Sequence, residues 1–192
     1  MKPRYNVSHV ERLYHLIKQY LSYEFNLICL TDENHHSDLP ITFIDVDSYE
    51  LDTWWNKVLV FNYSEEGMYF DLDVDIKGSI DFLFDELEER MICTIDTPWK
   101  DARFFSQPGH NNEVFLHYGN TSVMGWLGDH RHLITRLLDD VFKHTIRFYG
   151  DDGFIHEYGS IKHFSRKIDS YQASNFKSED CRISIHHVVT SP

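Results

Sequence analysis

The sequence predicts an α+β fold, a mainly antiparallel sheet with about four helices packed against it. Three observations predict it. Strand-like segments come in runs instead of alternating strictly with helices, an apolar stripe at helical spacing opens the chain, and no Pro/Ser-rich or low-complexity linker interrupts the 192 residues. One domain over residues 1–192 is therefore expected.

Ser8-His9-Val10-Glu11 has capping-box spacing, a hydroxyl followed three residues on by a carboxylate. Val10, Leu13, Tyr14, Ile17, Leu21 and Phe25 recur at helical spacing, which predicts a helix from about Ser8 to Glu24. Strands are predicted at Asn26–Leu30, Ile41–Val46, Lys57–Tyr63 and Met68–Ile76, the last two joined as a hairpin across Ser64–Gly67. In the last of these, Met68, Phe70, Leu72, Val74 and Ile76 alternate with Tyr69, Asp71, Asp73 and Asp75, the pattern of a strand with one buried and one acidic face. A second helix is predicted over Ser79–Met91, a short strand at Ile92–Ile95, a long loop over Asp96–Asn112 and a strand at Glu113–Tyr118. Asp129 reads as the cap of a third helix that carries Leu133, Ile134, Leu137, Leu138, Val141 and Phe142. His144–Tyr149 and Phe154–Tyr158 read as a second hairpin around Gly150-Asp151-Asp152-Gly153. Ile161, Phe164, Ile168 and Tyr171 suggest a fourth helix, and Arg182–Val189 a closing strand.

The formal charge of −13 is unevenly placed. Asp32–Asp101 holds 19 acidic and 4 basic residues, a net of −15, whereas the remainder nets +2. A field of that sign repels nucleic acid and anionic membranes and attracts basic proteins. No apolar run approaches the ~18 residues that span a bilayer. Cys29, Cys93 and Cys181 lie far apart in apolar segments without metal-ligand spacing, as buried free thiols of a reducing compartment would. With no apolar stretch after the basic residues of the N-terminus, a cytoplasmic location is expected.

The motifs exclude more than they assign. Asp71-x-Asp73-x-Asp75 is not an EF-hand: counted from Asp73, Lys77 and Phe84 fall where oxygen ligands must be, and counted from Asp71, Ile76 falls where glycine must be. Phosphate-binding glycine loops and nucleophile elbows are absent. No cofactor is expected, and no metal site, the pair His130 and His132 being the weak candidates among 13 histidines.

The acidic face thus carries the functional expectation, a non-enzymatic binding protein of the bacterial immunity or antitoxin type that neutralises a basic partner such as a nuclease toxin. Carboxylates at i and i+2 on a strand stand about 6.7 Å apart, comparable to the spacing of phosphates along a nucleic acid. The expected docking residues are Asp71, Asp73, Asp75, Asp85, Glu86 and Glu89, with Trp54 and Trp55 as aromatic anchors of which one is exposed. The alternative is a small metal-assisted, hydrolase-like enzyme that uses the histidines around His130.

Overall fold

Asn6, not Ser8, caps the first helix, α1 (Val7–Tyr20). Its side chain accepts from the Ser8 amide at 3.1 Å, and the Asn6 amide donates to His9 Nδ1 at 3.2 Å, so an Asn-x-x-His pair closes the box in place of the Ser-x-x-Glu expected. Val10, Leu13, Ile17 and Leu21 are buried, as the stripe predicts. The helix stops short of Glu24 because Leu21 is already extended.

The computed structural model describes residues 5–51, 53–96, 119–148, 150–164, 168–170 and 182–185. The predicted strand Glu113–Tyr118, nearly all of the predicted loop, and Cys181 lie outside them. The chain divides into two compact units, each built from separated segments: Met1–Glu50, Phe70–Asp85 and Ser165–Pro192 form the first, Leu51–Tyr69 and Glu86–Phe164 the second.

In the first unit, β1 (Leu27–Thr31) pairs in parallel with β2 (Ile41–Asp45), Leu27 opposite Ile41. A separate sheet places β9 (Ile183–Ile185) between β4 (Val74–Ile76), antiparallel, and β8 (Ile168–Ser170), parallel. Helix α1 packs on β4. Its Arg12 donates to the carbonyls of Leu72 and Val74 at 2.9 and 2.8 Å and faces Asp75 at 3.6 Å. The short helix α2 (Asp81–Asp85) is all that forms of the helix expected over Ser79–Met91.

The second unit is organised around β5 (Ile92–Asp96), close to its predicted span. This strand runs antiparallel to β6 (Gly119–Leu127) and parallel to β7 (Ile161–His163), with β3 (Glu66–Phe70) on the far edge of β6. Helix α3 (Arg131–Asp139) packs on a 3₁₀ segment, Thr53–Asn62, and α4 (Val141–Arg147) follows it. Helix α5 (Asp151–Tyr158) packs on β6 and on the same 3₁₀ segment. Val58, Leu59, Phe61, Ile92, Phe148 and Phe154 are core residues of this unit.

Several expectations are corrected here. Lys57–Tyr63 is helical, not a strand, so the hairpin with Met68–Ile76 does not form. An unbroken apolar run such as Val58-Leu59-Val60-Phe61 carries no periodicity with which to choose. Met68–Ile76 is broken as well: Asp71–Asp73 turn, the Val74 amide bonding back to the Asp71 carbonyl at 3.1 Å, and Arg12 occupies carbonyls that a continuous ladder would need. The second hairpin is replaced by α4 and α5, and the fourth helix by β7. The sheets are mixed, with parallel pairs β1–β2, β5–β7 and β8–β9 beside antiparallel β5–β6 and β4–β9. Among the described residues no helix is long and apolar enough to cross a membrane. Cys29 and Cys93 are free, the first half-buried with its thiol pushed up to about 11 by burial, the second buried.

Candidate functional site

Where β5 ends, β6 begins: Asp96 lies opposite Gly119, and Ile95 opposite Asn120. Beside this point helix α5 starts, with Gly150 in extended backbone and Asp151 and Asp152 in the first turn, where carboxylates are favoured by the helix dipole. Asp152 takes the Thr121 amide at 2.8 Å and contacts the Thr121 hydroxyl at 2.7 Å on the same oxygen. Asp151 contacts that hydroxyl too, and pairs with Lys57 at 3.3 Å. Lys57 Nζ also donates to Thr121 Oγ1 at 3.2 Å and lies 5.1 Å from the centre of the Tyr69 ring.

Both partners of the Lys57–Asp151 pair are only 7% exposed. Buried charges of this kind persist only when paired and hydrogen-bonded. Thr121 has a single hydroxyl proton, so it donates to one carboxylate at a time, and the Lys57 ammonium offsets the repulsion between the two. The result is a lysine and two carboxylates held on one threonine at the carboxyl end of β5, the end of a strand at which open α/β sheets commonly receive ligands.

His156 extends this site. It lies one helical turn after Asp152 on α5, with Nε2 3.4 Å from the buried Thr94 hydroxyl. His163 Nδ1 approaches the same hydroxyl at 3.2 Å, the two imidazoles stacked with centroids 5.6 Å apart. Gly119 is required beside them, since a Cβ there would stand 1.8 Å from His156 Nε2.

The residues expected from sequence are differently placed. Asp71 and Asp73 sit half-buried in the turn between β3 and β4, and Asp75 is half-buried against Arg12, so the regular exposed acidic face is not formed. Asp85 is exposed and hydrogen-bonds the Tyr23 hydroxyl, raising the tyrosine above its ordinary pKa mainly through its charge. These four belong to the first unit; Glu86, Glu89, Trp54 and Trp55 belong to the second. Glu86 is half-buried, its carbonyl accepting from Lys162 Nζ at 3.2 Å, and Glu89 is exposed. Of the adjacent indoles Trp54 is 51% exposed, while Trp55 is buried edge-on against Phe154. His130 and His132 have ring centres 6.1 Å apart, but no third ligand joins them: among the described residues no group of three His, Cys, Asp or Glu is arranged to hold a metal ion.

Sequence reasoning missed Lys57, Thr121, Asp151 and Asp152. Signals were present. Lys57 is a lone cation in an apolar run, a position that calls for a buried partner. Glycine followed by two carboxylates is a helix start as well as a turn.

No protein-family model matches the chain, and no curated protein matches its sequence. Solved structures do. The galactosyltransferase LgtC in complex with donor and acceptor sugar analogs superposes with a TM-score of 0.53 at 15% identity, over 77% of this chain and 66% of that one. An active-site mutant of LgtC superposes equally well, with a TM-score of 0.53 at 16% identity, over 79% and 71% of the two chains. The chain thus spans about two thirds of LgtC's length. The expectation of an immunity, antitoxin or inhibitor protein is corrected by this likeness: a negative field describes how a surface attracts, not what the chain was folded to do. The architecture is mixed α/β and shares its fold with LgtC.

Proposed function

We propose that this chain is a sugar-transfer enzyme, moving a glycosyl group from a donor with a phosphate leaving group, such as a nucleotide sugar, to an acceptor hydroxyl. The observation that carries the reading is the buried Lys57–Asp151–Thr121–Asp152 cluster at the carboxyl end of β5, on a glycosyltransferase-like fold. Fold alone does not name a reaction, so the site must supply the chemistry.

Sugar hydroxyls are hydrogen-bond donors, and ionised carboxylates are acceptors fixed here by backbone, threonine and lysine. Their placement before substrate arrives is what orientation in catalysis requires. In transfer the bond from anomeric carbon to phosphate oxygen breaks, the phosphate leaves with the electron pair, and the acceptor oxygen bonds to that carbon and loses its proton. His156, at the edge of the cluster, offers an imidazole nitrogen to receive that proton.

The test is turnover of a panel of nucleotide sugars, read as release of nucleotide diphosphate with and without magnesium or manganese. Expected is turnover of at least one donor, lost roughly a hundredfold or more in Asp152→Asn. The reading is overturned if no donor is turned over and none binds at millimolar concentration by ligand-observed NMR.

A further inference from the structure

Gly128 follows the opposite end of β6, about 31 Å along the chain from Gly119 at ~3.4 Å per residue. There a cleft of about 420 Å³ is lined by Glu65, Glu89, Arg90, Asp129, His130 and His132, with Gly128 and Ser160. Its backbone is specialised. Gly128 has φ +100°, and a Cβ on it would lie 3.1 Å from Glu89 Oε1 and 3.3 Å from the Arg90 amide. Arg90 itself adopts φ 62°, left-handed for a residue with a side chain. Such strain is retained where surrounding bonds over-determine it. Here these are Gly128 N–H to the Glu65 carbonyl and Arg90 N–H to the Leu127 carbonyl, both 2.7 Å.

The decisive group is His130. It is 3% exposed, and its Nε2 is buried with no hydrogen-bond partner. The ring hydrogen-bonds the Leu127 carbonyl, and because Nε2 is bare, Nδ1 carries that proton. Burial lowers the pKa of this histidine, so the neutral ring prevails and Nε2 offers a lone pair. Buried acceptors are almost always satisfied, and an exception marks where a ligand or water belongs.

What surrounds it accepts as well. Asp129 is engaged by Arg131 at 2.6 and 2.9 Å, and the same guanidinium reaches Glu65 at 3.6 Å. Glu89 is close enough to His130 to favour that ring's charged form electrostatically. The cleft is thus lined by His130, whose ring carries a bare nitrogen, and by exposed Glu89, with Glu65 and Asp129 beside them. A complementary ligand donates hydrogen bonds and is positive.

We infer that this cleft is a second binding site, distinct from the Lys57–Asp151 cluster, for a small amino alcohol such as an amino sugar, whose hydroxyl donates to His130 Nε2 and whose ammonium pairs with Glu89. The inference is independent of the transfer reaction proposed above.

Isothermal titration of the whole protein with glucosamine, N-acetylglucosamine and glucose tests it. Glucosamine should bind, and both neutral sugars should bind at least roughly tenfold more weakly. His130→Phe and Glu89→Gln should each lower glucosamine affinity by roughly tenfold, and Glu89→Gln should flatten its salt dependence. If His130→Phe fails to fold by circular dichroism, Glu89→Gln decides, because that side chain is exposed. Three results overturn the inference: equal affinity for the neutral sugars, binding unaffected by the folded variants, and no binding by any of the three. In the last case water alone satisfies Nε2.

Discussion

The two ends of β6 handle buried polar groups in opposite ways. At Thr121 a lysine, two carboxylates and a hydroxyl satisfy one another within 3.3 Å. At His130 an imidazole nitrogen is buried with nothing to meet it. A satisfied charged network is rigid and fails as a unit, whereas an unsatisfied acceptor is tolerated at a standing cost. Stability at one end and ligand capacity at the other should therefore respond to substitution with opposite sign.

The largest effect should come from breaking the network. Lys57→Met leaves Asp151 as a buried unpaired carboxylate and should lose about 3–5 kcal/mol in chemical denaturation. Adding Asp151→Leu should recover much of that loss, since replacing both charges removes the stranded one; no recovery would mean the pair is not the unit. Next in size is Gly119→Ala, whose Cβ would meet His156 at 1.8 Å. It should cost about 1–3 kcal/mol, and His156→Ala in the same chain should relieve it.

His130→Phe should move the other way, neutral or stabilising by up to about 1 kcal/mol, because it removes an unmet acceptor while the Leu127 carbonyl keeps the Arg90 amide. A pH series sharpens the point. Burial lowers the pKa of both His130 and His144 below the ordinary 6.5. The unfolded chain then takes up protons first as pH falls through about 6.5, so stability is full above that value and declines below it. Glu89 and Asp129 oppose the shift at His130, and His132 adds to it. His130→Phe should make the decline shallower, and an unchanged slope would place its origin elsewhere. The smallest effect should be Asp129→Asn. That carboxyl is held well below the ordinary range by hydrogen bonds from Arg131, yet both side chains are at least half exposed and screened by water. Its contribution is present at neutral pH and lost only as pH falls towards the depressed value, so the melting temperature at pH 7 should shift less than in any variant above.

Legibility followed the clarity of the local pattern. The stripe of α1 was readable because Val10, Leu13, Ile17 and Leu21 face one way in only one regular structure. Strands β1, β2 and β5 were readable as short apolar runs between polar breaks. Residues 57–63 and 144–158 were not. An apolar run suits a buried helix or a buried strand equally, and Gly-Asp-Asp-Gly serves a hairpin as well as a helix start. The aspartates after Phe70 alternate as a strand would, yet Arg12, 60 residues before Leu72, takes the carbonyls there.

By itself the sequence determined what depends on composition and near neighbours: the segregated charge, the first helix, the short strands and the absence of nucleophile and phosphate-loop motifs. Only the tertiary structure decided which charges are buried together. Lys57, Thr121 and Asp151 lie 64 and 30 residues apart along the chain, and nothing local to any of them names the others. A buried ion pair is selected by the desolvation cost of each partner alone, and that cost exists only once the core has closed around both.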